Sequence, residues 1–297
     1  MKAAVWTEYG PPDVLQIKEV EKPTPKDDEV LIKVHAATVT AGDCEMRDLK
    51  FPLFLALLIR LYTGIRRPKR ITILGQEISG VIEDVGENVT RYKKGDQVFA
   101  TTGFKLGGYA EYICLTVDEP GVVMAIKPSI MSFDEAATVP VGGLNALYFL
   151  REGDIRQGQK ILINGAGGSI GTYAVQIAKS YGLDVTCVDS TEKLDMLRSI
   201  GADDIIDYKK EDFTKKGEKY DVIFDVVGKS SFSGCMKSLN RNGILLLGNP
   251  SLYHKIRGKI MSLVGSKKVF YSTASYKPED LIFLKELIED GKIKSVI

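Results

Sequence analysis

Residues 160–171, reading KILINGAGGSIG, constrain this chain more than any other stretch. An apolar run suited to a buried strand meets four glycines, Gly165, Gly167, Gly168 and Gly171. Residues 170–181 then follow with the spacing of an amphipathic helix. A chain that turns sharply after a strand and lays bare backbone against a pyrophosphate needs glycine where a side chain would clash. The helix that follows presents its first N–H groups to the anion. The register departs from G-x-G-x-x-G: its third glycine would fall on Ile170, and the spacing here is Gly165-x-x-Gly168-x-x-Gly171. Strand, loop and helix still stand in the order that a dinucleotide-binding fingerprint requires.

Asp189 closes the next strand, residues 184–189, 24 positions after Gly165. An acidic side chain there accepts hydrogen bonds from a ribose diol and favours NAD. Ser190, Thr191 and Lys193 follow at once, and hydroxyls beside a lysine suit a 2′-phosphate. The two signals oppose each other, and Asp189 has a third, plainer use as the N-cap of the helix after it. Further alternation of strands (205–206, 222–226, 244–247) and helices (192–200, closed by Gly201) predicts a parallel sheet covered on both faces.

The first third of the chain reads differently. Segments 30–34, 78–85 and 97–100 alternate with period two, another strand begins within 107–112, and a Pro-bearing polar loop spans 22–28. Many short strands of this kind predict a barrel-like β domain. A helix starts over 132–137, with Ser132 and Glu135 in a capping-box pattern. Near the end, 279–290 reads as a helix broken by Gly291, and 292–297 as the start of a strand. The chain then stops without a further element, as a sequence cut short would.

Composition narrows the function. Forty basic residues nearly cancel thirty-nine acidic ones, for a formal charge of +1. That balance gives no support to nucleic-acid binding. The four cysteines are scattered with no CxxC pair, which fits a reducing compartment better than a disulfide framework. No apolar signal core follows the single N-terminal lysine, so a cytoplasmic location is expected. The apolar run 51–59, FPLFLALLI, is too short to span a bilayer, which takes roughly 20 residues. It reads as a pocket-lining helix or core segment, with a membrane-surface contact as the alternative because Arg60, Arg66, Arg67, Lys69 and Arg70 follow.

With these landmarks placed, the chain resembles the zinc-independent quinone oxidoreductase branch of the medium-chain dehydrogenase/reductase family. The resemblance runs from MKAAVWTEYGPPDVLQI through ILGQEISGVIEDVGENVTRYKKGDQVFA (73–100), GGYAEYI (107–113) and EAATVPVGGLNAL (135–147). It continues through INGAGGSIGTYAVQIAK (163–179) and SIGADDIIDY (199–208). It implies an α/β fold: a GroES-like β-barrel domain over 1–125, a Rossmann domain with a doubly wound parallel sheet over 126–265, and a return to the first domain over 266–297. It places the active site in the cleft between the domains and implies another ~30 residues beyond the end, the size of a short element.

The resemblance also implies a set of site residues. Zinc-containing relatives carry cysteine where Thr40 stands, and histidine in Gly-His-Glu where this chain has Gly75-Gln76-Glu77. Neither threonine nor glutamine is a good zinc ligand. His35, in an alternating strand, is expected to be packed or hydrogen bonded, so no metal is expected. Without a Lewis acid, the chemistry left is hydride delivery to a quinone or α,β-unsaturated carbonyl, whose developing charge delocalises onto oxygen. The donor candidates are Thr40, Asp43, Arg47 and Gln76, together with Tyr62 and Tyr109; each has a structural hydrogen bond as its alternative role, and solvent is an alternative proton source. Gly168, Ser169 and Ile170 would meet the pyrophosphate, Ser190 and Lys193 the adenosine end, and Tyr208 the adenosine or ribose. Gly248 and Asn249 would pass near the nicotinamide.

NADPH is the expected cofactor, with NADH as the alternative. A small lipophilic carbonyl or quinone is the expected substrate, suggested by the apolar segment 51–62, and a homodimer is the expected assembly. The competing function is a cofactor-binding protein with a structural or membrane-associated role, because fold alone does not establish catalysis.

Overall fold

A computed structural model describes residues 1–297, the side chains of 262–264 excepted. The chain divides into two compact units. The first comprises Met1–Val141, Tyr276–Lys285 and Ile297; the second comprises Gly142–Ser275 and Glu286–Val296.

The first unit holds strands β1 (Lys2–Trp6), β2 (Leu15–Glu19), β3 (Glu29–Ala37), β4 (Glu77–Val85), β5 (Gln97–Thr101), β6 (Tyr112–Thr116) and β7 (Met124–Ile126). Helices α1 (Ala41–Asp48) and α2 (Leu53–Thr63) lie between β3 and β4, and α3 (Phe133–Ala137) follows β7. Strands β1 and β2 form an antiparallel pair, and the other five an antiparallel sheet in the order β6-β3-β4-β5-β7. The period-two alternation does its work here: Val30, Ile32, Ile78, Ile82, Val98 and Ile113 point into one core. The strand expected from 107 starts only at Tyr112, because Ala110 makes a single bridge to Ala3 and the chain bends before pairing with β3. The Ser132–Glu135 capping box is present at the start of α3.

Helix α4 (Val139–Glu152) leads toward the second unit, whose strands are β8 (Lys160–Asn164), β9 (Asp184–Asp189), β10 (Asp204–Asp207), β11 (Tyr220–Asp225), β12 (Leu239–Leu247) and β13 (Lys268–Phe270). Its helices are α5 (Ser169–Ser180), α6 (Leu194–Ser199), α7 (Phe232–Ser238) and α8 (Leu252–Val264), before α9 (Pro278–Glu289). The six strands are parallel, in the order β10-β9-β8-β11-β12-β13. Numbered from β8, that is the doubly wound order 3-2-1-4-5-6, whose reversal between β8 and β11 opens a crevice at the strands' carboxyl ends. The central strands are apolar on both faces because both are covered: Ile161, Leu162, Ile163, Val222, Ile223 and Phe224 are fully buried.

Three expectations need correction. Residues 292–297 form no strand; the backbone N–H of Lys294 donates to Gln176 Oε1 (2.8 Å) and its carbonyl accepts from Gln176 Nε2 (3.0 Å), so a buried carboxamide replaces a ladder partner. The helix expected over 192–200 begins as a 3-10 turn, Thr191–Lys193, with Ser190 rather than Asp189 at the N-cap position and no side-chain capping hydrogen bond. Of the two expectations for the run 51–59, the core segment is wrong and the pocket-lining helix holds: residues 53–59 open α2, where Leu53 and Phe54 are 88% and 73% exposed while Leu58 and Ile59 line a cavity.

Candidate functional site

The glycine loop lies at the reversal point of the parallel sheet. Gly165 takes φ 85°, a left-handed turn that a side chain would resist. A Cβ on Gly171 would stand 2.3 Å from Gly165 O, so helix and loop pack backbone to backbone. Helix α5 starts after Gly168 with no side-chain cap. The first-turn N–H groups of Ser169, Ile170 and Gly171 have no carbonyl partner within the helix, the arrangement in which a helix start can bind an anion. A cavity of about 630 Å³ opens here, lined by Gly165, Gly168, Asp189, Lys193, Tyr208 and Ser230 among others.

The geometry bears on the Asp189 conflict. Its carboxylate, almost buried, accepts from Gly167 N–H (2.7 Å) and Ser190 N–H (2.8 Å). Lys193 Nζ donates to Gly167 O (2.9 Å) and lies 3.9 Å from the Asp189 carboxylate. Asp189 thus ties β9 to the glycine loop, while the half-exposed Lys193 ammonium stands at the cavity. The Thr191 hydroxyl is turned away, donating to Asp207. Tyr208 is largely exposed, its backbone N–H held by Asp189 O (3.2 Å). Gly248 and Asn249 follow β12; Gly248 N–H donates to Asp225 O (2.9 Å), and a Cβ on Gly228 would strike Asn249 O.

A cluster not singled out in the sequence sits on the other side of the loop. Asn164 and Asp225 are register partners at the ends of β8 and β11. Asn164 Nδ2 donates to Asp225 (2.9 Å) and to Ser230 Oγ (2.8 Å), and the buried Asp225 also accepts from Gly228 N–H (2.9 Å). Two isolated residues 61 positions apart carry no local motif; only the pairing of β8 with β11 joins them.

In the first unit, Thr40, Asp43 and Gln76 come together at the start of α1. The Thr40 hydroxyl donates to Asp43 Oδ2 (2.6 Å) and accepts from Asp43 N–H (3.1 Å) and Gln76 Nε2 (3.0 Å). Asp43, buried, also accepts from the backbone N–H groups of Thr40 (3.0 Å) and Gly75 (3.1 Å). Next in the chain, Glu77 accepts from the Thr38 hydroxyl and from Val141 N–H (2.7 Å). Burial pushes the Glu77 carboxyl up to about 7 against those two hydrogen bonds, with the nearby Asp43 adding to the rise. The Tyr109 hydroxyl donates to Thr38 O (3.1 Å), and burial, then the Asp43 carboxylate, raise its pKa.

Arg47 and Tyr62 are engaged elsewhere. Arg47 donates to Gly10 O (3.0 Å) and pairs with Asp48 (2.6 Å). The Tyr62 ring lies under the Arg70 guanidinium (4.3 Å). Tyr62 lines a separate cavity of about 570 Å³ with Met46, Leu58, Ile59, Ile71 and Phe104. His35 stacks on Phe133 (4.3 Å between centroids).

A Rossmann sheet with an open phosphate loop, accompanied by an antiparallel β unit, defines the class of alcohol-dehydrogenase-like nucleotide-binding proteins. Residues 26–129 match the alcohol dehydrogenase GroES-like domain, and residues 169–289 match the zinc-binding dehydrogenase family. The chain is 34% identical over its whole length to an NADPH-dependent alkenal/one oxidoreductase of Arabidopsis thaliana chloroplasts, covering 72% of that protein. It superimposes on a quinone oxidoreductase of Coxiella burnetii with TM-score 0.84 at 28% identity, covering 98% of this chain and 88% of that one. The NADPH complex of Escherichia coli quinone oxidoreductase gives TM-score 0.82 at 25% identity, covering 100% and 90%. The chain belongs to the medium-chain dehydrogenase/reductase family, in its quinone oxidoreductase-like branch.

One family name carries zinc, and the residues here do not fit it. At Thr40, Asp43 and Gln76 the donor set is a hydroxyl, a carboxamide and a carboxylate already accepting three hydrogen bonds, without thiolate or imidazole. Among the described residues no group of three or more His, Cys, Asp or Glu is placed to hold a metal ion. None of their helices is long and apolar enough to cross a membrane.

Proposed function

We propose that the protein is an NADPH-dependent reductase that delivers hydride to a quinone or an α,β-unsaturated carbonyl. The observation that carries it is the uncapped N-terminus of α5 opening with Gly165 and Gly168 onto the cavity at the sheet's reversal point. The Arabidopsis alkenal/one oxidoreductase and the Coxiella quinone oxidoreductase support the acceptor class.

A bound reduced nicotinamide supplies the hydride. This chain's part is to bind, orient and stabilise. The amides of Ser169, Ile170 and Gly171 suit the pyrophosphate, and Ser190 with Lys193 suits a 2′-phosphate, since Asp189 is occupied by Gly167 and Ser190 N–H groups. In the first unit the Thr40 proton goes to a buried carboxylate, so Thr40 positions rather than donates. Gln76 gives one N–H to Thr40 and carries a second, which makes it the best-placed donor to a developing oxyanion. Asp43, Tyr109 and Glu77 hold this arrangement in place. Four free cysteines, with Cys187 and Cys235 buried, support a reducing cytoplasmic setting. The homodimer is supported by the edge strand β13 and by exposed Tyr253, Ile256 and Ile260 on α8, which packs against it.

The test is oxidation of NADPH and of NADH with a quinone and an enone, alongside calorimetric titration of each cofactor. NADPH is expected to bind more tightly, and Lys193→Ala to weaken NADPH about tenfold or more while leaving NADH nearly unchanged, the loss of a charge-assisted contact. Equal weakening of both would assign Lys193 to loop structure instead. Tight NADPH binding without turnover of either acceptor class would leave the structural role as the function.

A further inference from the structure

Helix α2 leaves most of its apolar surface in solvent. Leu53, Phe54, Leu57 and Leu61 are all exposed, as is Ile65 in the turn that follows. Leu53, Leu57 and Leu61 are each four residues apart, so they form a single stripe along the helix. Soluble proteins seldom leave so continuous an apolar strip uncovered unless something binds there.

The charge around the stripe is one-sided. Residues 49–76 contain no aspartate or glutamate, whereas Lys50, Arg60, Arg66, Arg67, Lys69 and Arg70 give the segment +6, Lys50 being paired with Asp48 just before it (2.5 Å). With a whole-chain charge of +1, the rest of the protein carries −5. Arg66, Arg67, Lys69 and Arg70 are all exposed. Among the described residues none of these four is held in an ion pair. The other side of the same helix walls the cavity of about 570 Å³ through Leu58, Ile59 and Tyr62, with the exposed Phe104 also among its lining residues.

We propose that α2 and the basic turn after it dock the protein on an anionic lipid bilayer, where the cavity walled by α2 receives an acceptor dissolved in the membrane. At 11 residues the helix is far too short to span a bilayer, which takes roughly 20, and suits lying in the interface. Charge complementarity selects the occupant. Acyl chains cover a leucine stripe while anionic headgroups neutralise the arginines beside it. A second copy of this chain, brought face to face on a two-fold axis, would set Arg66, Arg67, Lys69 and Arg70 against the same four cations. The nature of the acceptor rests on the reductase function proposed above; the docking does not.

The experiment is co-sedimentation of the full chain with vesicles of phosphatidylcholine alone and of equal parts phosphatidylcholine and phosphatidylglycerol, at low and high salt, with no cofactor or acceptor. Binding is expected on the anionic vesicles only, and is expected to fall as salt rises. Arg66→Gln with Arg67→Gln should lower partitioning about 30-fold, near fivefold per basic side chain removed. Leu53→Ser with Leu57→Ser should abolish it, with both doubly substituted proteins melting as the parent does. Neither pair lies in the cavity wall, so turnover of a water-soluble enone without vesicles should be unchanged. Failure of that turnover in the parent would count against the reductase alone. Equal binding to both vesicle types, or none at low salt, would overturn the docking. So would a dimer in sedimentation equilibrium that Leu53→Ser with Leu57→Ser dissociates, because a second copy would then cover α2.

Discussion

Gly168 and Gly171 are both glycine, for different reasons, and substitution separates them. A Cβ on Gly168 would find nothing closer than Gly165 O at 3.6 Å, and its φ of −91° suits alanine. Only a ligand lying against the loop would meet that methyl group. At Gly171 the added carbon would stand 2.3 Å from Gly165 O and 2.6 Å from Ala166 backbone atoms, none of which can rotate aside. Gly168→Ala is therefore expected to melt like the parent yet bind NADPH about tenfold or more weakly, through loss of charge-assisted contacts. Gly171→Ala should cost about 1–3 kcal/mol of stability from overpacking before any ligand is added. Thermal denaturation and titration of both proteins decide it, and a Gly168→Ala protein with unchanged affinity would place the pyrophosphate elsewhere. These glycines were legible because backbone geometry dictates them. The direction of the Asp189 side chain was not, since a strand-ending aspartate serves a ribose, a helix cap or a loop N–H equally well in sequence.

Elements were legible where one period dominates. Strands β3, β4 and β8 follow from alternation or a continuous apolar run, and α5 from its position after the glycines. Helix α8 is hidden by Gly258, whose Cβ would come within 2.8 Å of Val269 Cγ1; glycine there lets the helix lie close to β13 at the expense of helical patterning. Helix α2 shows the opposite problem, a strong apolar signal whose destination the sequence does not disclose. Burial would make all its leucines core, yet only some line a cavity and the others face water. Leu58 is on the lining side. Leu58→Ser should raise KM for long-chain quinones or enones on the order of tenfold, the loss of one leucine's apolar contact, and leave KM for short acceptors unchanged. An equal rise for both lengths would mean that the cavity does not take the acyl chain.

At the scale of the whole molecule, stability is tied to pH through a group that neither the glycine loop nor the lipophilic cavity uses. Glu77 is almost completely buried beside Asp43, and its carboxyl is pushed up from 4.5 to about 7 because burial disfavours the charged form. Between those values the folded chain holds a proton that the unfolded chain has released. The stabilisation this gives is complete below about pH 4.5 and is lost as pH rises through about 7, above which folding leaves a buried carboxylate. The difference corresponds to something on the order of 3 kcal/mol. Glutamine mimics the protonated carboxyl in size and keeps an oxygen to accept from Val141 N–H, without ionising. Glu77→Gln is therefore expected to match the parent in urea denaturation near pH 5 and to exceed it near pH 8, with the gap opening between. A parent whose stability against Glu77→Gln does not change over that range would show that the carboxylate is charged at both ends. The Thr38 hydroxyl and Val141 N–H would then outweigh desolvation.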